Sequence, residues 1–319
     1  MKLRFLLPAI LPILFCGAAL AAGQPAAQPP IMKIHHLAGA FAEVWDRNVG
    51  KPDEEFVRDF KATVAPQFPA FYGVERYGGR KTEAQRDADI VAARAEFPKL
   101  RPTYLKTVAN FERDMTGYIA SFRKVFADYA AKNEVWFVHS LGEMDGGKRT
   151  LDGKSTFIFG ADRMSEDEGK DANVLFFHHE LFHDYQPLAC KQWPVWTSLW
   201  QEGLATWVAL QLNPGMTVEG MLPPELVEGT RKQMGRAVED LYAKLDSTDR
   251  DDYSGLFLGR GDQTGLPVRR GYYLGVLVAE EAARKMDIHQ LAMLDCESVR
   301  PVVVAAVERM RKEYGTRRP

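Results

Sequence analysis

Residues 176–186 read FFHHELFHDYQ, and a proline follows at 187. The run falls on a predicted helix. Pro187 would end that helix, because proline lacks an N–H and its ring clashes with the carbonyl four residues back. At 3.6 residues per turn, His179 and His183 stand one turn apart on the same face, so both imidazoles can reach one metal ion. Glu180 stands about 100° round the helix, close enough to touch a water at that ion without ligating the ion itself. His178 faces elsewhere and reads as a packed or capping histidine.

Nineteen positions after His183 comes Glu202, inside WTSLWQEGLATWVALQL at residues 196–212. Trp196, Leu199, Trp200, Gly203 and Trp207 form an apolar stripe at helical spacing. A turn at residues 187–195 would make the two helices antiparallel and bring Glu202 over the histidine pair. Gly203 permits close helix approach. Two histidines and one glutamate make three protein ligands, with a fourth position left for water, the pattern of a catalytic zinc site.

H-E-x-x-H followed by Glu in an E-G-L-A segment resembles the gluzincin metallopeptidases, and in particular families of predicted zinc-dependent proteases. The resemblance covers about residues 134–212 and extends to about residue 286. It implies a zincin-like catalytic domain over 134–319, one zinc ion on His179, His183 and Glu202, and Glu180 as general base. Related enzymes place a Tyr or His from a downstream helix over the metal, which makes Tyr272 and Tyr273 in RRGYYLG the candidates for stabilising the oxyanion. Two departures matter. Many gluzincins carry an acid four residues after the third ligand, where it orients a zinc-bound histidine; here Thr206 stands there, and its hydroxyl is a weaker partner for an imidazole. The aminopeptidases of the clan carry G-x-M-E-N upstream. This chain has Gly160-Ala161-Asp162-Arg163-Met164, with the acid one place off, so no amine-binding role is carried to Asp162.

Upstream of the motif, EVWFVHSL (134–141) and STFIFGAD (155–162) are short β-rich runs, joined by GEMDGGKRTLDGK, which is full of turn residues. They predict a small sheet. Thr156 to Phe159 is a candidate edge strand for binding an extended peptide, and His139 reads as structural. From about Leu37 to Lys132 the spacing of Phe41, Val44 and Trp45, and of Tyr118, Phe122, Val125, Phe126 and Tyr129, predicts a helical N-terminal region. Pro66, Pro69, Gly78-Gly79 and Pro102 divide it into about four helices. The fold class is therefore α+β: a helical region over 37–133, then a domain with a small mixed sheet and active-site helices.

The first residues, MKLRFLLPAILPILFCGAALAA, have a basic start at Lys2 and Arg4, a short apolar stretch, and a small-x-small site at Ala19-Leu20-Ala21. Residues 1–21 read as a signal peptide. The competing readings are a membrane anchor, which Pro8 and Pro12 shorten, and a lipoprotein signal, which the bulky Phe15 before Cys16 opposes. Residues 22–36, rich in Pro and Ala at first, read as a flexible mature terminus. The expected location is periplasmic or secreted. Cys190 and Cys296 are then the mature cysteines, either bridged or as two buried thiols.

The chain has 319 residues, 41 basic against 43 acidic, and a net charge of -2. The charges form no long blocks, which excludes the electrostatic footprint of a nucleic-acid binder. Beyond the first twenty or so residues no apolar stretch is long enough to span a bilayer, so no stable membrane insertion is expected after signal cleavage. These observations predict an exported zinc-dependent peptidase acting on peptides or proteins. The alternatives are a zinc-binding zincin-fold interaction module without turnover, and a zinc hydrolase of a non-peptide amide such as a cell-wall component.

Overall fold

The computed structural model describes residues 32–166, 170–258 and 264–315. The signal-peptide reading of residues 1–21 lies outside them. Four short strands form one mixed sheet in the order β1-β2-β4-β3: β1 (Ile34–His36), β2 (Val135–Val138), β3 (Gly146–Leu151) and β4 (Lys154–Gly160). β1, β2 and β4 run parallel, with Ile34 opposite Val135 and Phe137 opposite Phe159, and β3 runs antiparallel to β4.

Three expectations change here. Residues 34–36 are not part of a flexible terminus: they pair with β2, and His35 stacks on Trp136 at 3.9 Å. The turn-rich connector contains the strand β3, closed onto β4 by a turn at Asp152 and Gly153 that both take with positive φ. Thr156 to Phe159 therefore lies inside the sheet, between β2 and β3, and β3 is the edge.

Between β1 and β2 come α1 (Ala38–Arg47), α2 (Asp53–Thr63), the single turn α3 (Pro69–Tyr72) and α4 (Glu83–Phe122). A capping box starts α4, with the Thr82 hydroxyl accepting from the Gln85 N–H and the Gln85 side chain accepting from the Thr82 N–H. Pro98 and Pro102 lie inside α4 and do not end it. Each proline costs a helix about 3 kcal/mol, but Phe97, Tyr104, Phe111, Met115 and Phe122 are all buried along one side, and their burial outweighs that cost. The helix ends at Phe122, so Phe126 and Tyr129 are buried from turns rather than from a helix.

After β4 come α5 (Ala161–Met164), α6 (Lys170–Tyr185), α7 (Val195–Leu212), α8 (Pro224–Lys232), α9 (Met234–Lys244), α10 (Arg250–Tyr253), α11 (Arg270–Ala283), α12 (Ile288–Ala292) and α13 (Cys296–Tyr314). The fold is α+β, mostly helical. Phe111 of α4 stacks on Phe137 at 3.7 Å, and Phe177 of α6 meets Phe159 at 4.9 Å, so α4 and α6 cover one face of the sheet. Phe68 stacks on Trp136 at 3.9 Å on the other face. One buried apolar cluster runs from Met32 to Met310. Cys190 and Cys296 form a disulfide with a Cα–Cα separation of 5.7 Å, tying the loop after α6 to the start of α13. Among the described residues no helix is long and apolar enough to cross a membrane.

Candidate metal centre

α6 is buried on nearly every side, so each of its polar groups has to be accounted for. Phe177, Leu181, Phe182 and Tyr185 pack into the core. His178 meets the Ser121 hydroxyl at 2.7 Å, and its Nδ1 lies 2.8 Å from the Asn213 amide. Burial depresses its pKa to about 4, so it is a neutral packed histidine. Asp184 accepts from the Tyr129 hydroxyl and the Lys132 N–H, both at 3.0 Å. His179, Glu180 and His183 face the cleft. The helix ends at Tyr185, where Gln186 makes the last bond to the Phe182 carbonyl before Pro187.

α7 returns against α6. Its first two N–H groups donate to the carbonyls of Ser247 and Leu245, which supplies partners that its N-terminus would otherwise lack. Gly203 lies against Gly275 of α11: a Cβ on Gly203 would stand 2.2 Å from the Gly275 carbonyl carbon. That contact lets α7 and α11 touch through their backbones and fixes the position of the neighbouring Glu202.

The three donors converge. His179 Nε2 is 2.9 Å from His183 Nε2, and Glu202 Oε2 lies 3.3 Å from the first and 3.6 Å from the second. Tetrahedral bonds of zinc length would separate neighbouring ligand atoms by about 3.3 Å. Thr206 strengthens the fit. Its hydroxyl donates to the Glu202 carbonyl at 2.8 Å and lies 3.3 Å from His179 Nδ1. With its one hydrogen committed to Glu202, the hydroxyl can only accept from His179, which puts the imidazole proton on Nδ1 and turns the Nε2 lone pair toward the other two donors. His179, His183 and Glu202 could thus hold a metal ion.

Electrostatics follow from burial and contact. Burial pushes the Glu202 carboxyl up, but attraction to His183 and close contact with both histidines hold it well below the usual carboxylate range. Burial opposes charge on His183, and Glu202 outweighs it, leaving its pKa raised. Glu180, 9% exposed, has its pKa raised, mainly by burial. Its carboxylate lies beneath Gly147 of β3, where a Cβ would stand 3.7 Å from Oε2 and where φ is +133°. A side chain there would touch the carboxylate and strain the strand.

The donors open onto a cavity of about 610 Å³, walled by β3 on one side and by the start of α11 on another. Tyr272 lines it. Tyr273 does not: it is 5% exposed and its hydroxyl accepts from Arg231 Nε at 2.9 Å, beside α8. Adjacent helical residues point about 100° apart, so only one of the two tyrosines reaches the cleft. Asp162 is buried and accepts from the Ser140 and Gly142 N–H groups and the Ser140 hydroxyl, a structural role. His139 is buried against Phe41 and lies outside the cleft. Sequence reasoning passed over three cleft residues, Lys148 and Arg149 on β3 and Arg269 before α11. Nothing in their local pattern marks them, because the glycines and charges of GGKRTL read as a turn. Comparisons with known protein families, curated proteins and solved structures find no match.

Proposed function

We propose that the protein is a zinc-dependent peptidase with a zincin-like catalytic domain. The observation that carries this reading is the convergence of His179, His183 and Glu202 within 3.6 Å of one another, with Glu180 beside them at the floor of an open cleft. Two imidazoles and one carboxylate suit zinc better than calcium or magnesium, which take oxygen donors. Zinc held there would supply Lewis acidity, lowering the pKa of water and drawing electron density from the carbonyl to be cleaved. Glu180 accepts the proton of the attacking water and returns it to the leaving amine. Thr206 keeps His179 in the tautomer that binds. Tyr272 lines the cleft and stays a protonated phenol at neutral pH, which supports it as the donor to the developing oxyanion.

Among the described residues β3 has no partner on its outer side, and it lines the cleft, so an extended peptide can add to it as a further strand. Among the described residues nothing fills the cleft, which favours turnover over a non-catalytic metal-binding module. The Cys190–Cys296 disulfide supports export, since such bonds persist in oxidising compartments.

The test is cleavage of a diverse peptide library by zinc-loaded protein lacking residues 1–21, beside the Glu180→Gln variant and a chelated sample. Cuts that disappear in both controls are expected. A zinc-loaded wild type that makes no cut overturns the reading and moves the search to non-peptide amides.

A further inference from the structure

The chain is slightly acidic as a whole, yet its cleft is cationic. Lys148 and Arg149 of β3 line it, and so does Arg269 just before α11. None of the three has a carboxylate partner among the described residues. Many other arginines do: those at 47, 76, 86, 94, 101, 163, 231, 270, 300 and 311 pair with carboxylates. Among the described residues lining the cleft, the acids beyond Glu180 and Glu202 come down to Asp145.

Both arginines touch other residues that line the cleft. Nη1 of Arg149 donates to the Lys148 carbonyl at 2.9 Å and stands 3.3 Å from the Cβ position of Gly147, the same point that the Glu180 carboxylate approaches from below. The Arg269 guanidinium sits 5.2 Å from the centre of the Tyr272 ring. Its backbone has φ +62°, a left-handed conformation that ordinarily falls to glycine or asparagine. An arginine kept at such a position points to use of its side chain.

We propose that this cleft selects acidic peptides, with Arg149 and Arg269 as specificity-determining residues that receive Asp or Glu side chains on either side of the bond to be cut. Guanidinium groups bind carboxylates through paired N–H donors. Among the described residues, a basic peptide would meet these three cations with Asp145 to offset them. The role of the bound peptide as substrate rests on the peptidase reading, whereas the charge preference is read by binding alone.

The experiment uses fluorescent peptides of one sequence in which the residues flanking a central dipeptide are Asp and Glu, Ala, or Lys and Arg. Affinity for the Glu180→Gln protein is measured by anisotropy, and cleavage by zinc-loaded wild type is followed in parallel. The acidic series should bind about ten-fold tighter than the basic one at low salt, with the gap closing as salt rises. An Arg149→Gln/Arg269→Gln double variant with an unchanged circular dichroism spectrum should abolish the preference. Equal affinity of the three series, absence of binding, or a preference that survives in the double variant overturns the proposal. Cleavage without regard to charge overturns it and leaves the peptidase reading standing; an acidic binding preference without any cleavage does the reverse.

Discussion

Thr206, Glu202 and Glu180 all belong to the candidate site, yet their loss should have different effects on metal content. Glu202→Ala removes a donor and should abolish stoichiometric zinc. Thr206→Val removes the acceptor for His179 Nδ1 and should weaken zinc binding by about 10- to 100-fold. Glu180→Gln should leave zinc content unchanged while activity is lost. Zinc per chain after dialysis against a competing chelator checks the order, and a Glu202→Ala protein that keeps its zinc would show that the third ligand is elsewhere. His139 carries a second prediction. It is fully buried, its Nδ1 accepts from the Leu141 N–H, its Nε2 has no partner, and burial depresses its pKa despite nearby Asp162. The unfolded chain takes up this proton as pH falls below about 6.5 while the folded one resists it. Stability should therefore be full above that pH and decline below it. The slope should flatten in His139→Gln, as read from urea midpoints between about pH 7 and 5.

At the scale of elements, the site depends on how closely α7 meets α11. Gly203 and Gly275 face each other, and a methyl on either meets backbone atoms that cannot move aside. Gly203→Ala should cost about 2–3 kcal/mol, as overpacking does, and should lower zinc affinity as well, because Glu202 is the adjacent residue. Denaturant titration checks the first effect; a change below about 0.5 kcal/mol would mean that the helices separate freely. Periodicity made α6 and α7 legible, since their apolar residues recur at helical spacing. It failed at Pro98 and Pro102, where local chemistry argues for a break and the apolar surface buried along α4 overrides it. It failed again at β3, whose glycines are turn signals but whose pairing with β4 decides its conformation.

For the molecule as a whole, the Cys190–Cys296 bond is the longest covalent constraint, closing a loop of 106 residues that contains α7 and the wall carrying Tyr272. Removing it in Cys190→Ser/Cys296→Ser should cost about 2–5 kcal/mol. Thermal melting with and without reductant measures this: wild type should fall to the double variant's midpoint when reduced, and the variant should not respond. β1 and β2 bracket the N-terminal helices and pair with each other, so those helices are tied to the same sheet that borders the site.

What the sequence determined by itself was local chemistry: the face shared by His179 and His183, the place of Glu180 beside it, the helix stop at Pro187, and the acceptor capacity of Thr206. These follow from the 3.6-residue period and from side-chain types, and need no knowledge of distant contacts. Tertiary structure decided which strand forms the cleft edge, which of Tyr272 and Tyr273 enters it, that Cys190 meets Cys296, and that Arg149 and Arg269 line the same cleft. Those outcomes depend on burial and pairing between segments as much as 120 residues apart, such as β3 and the start of α11, and such long-range contacts leave no period in the chain.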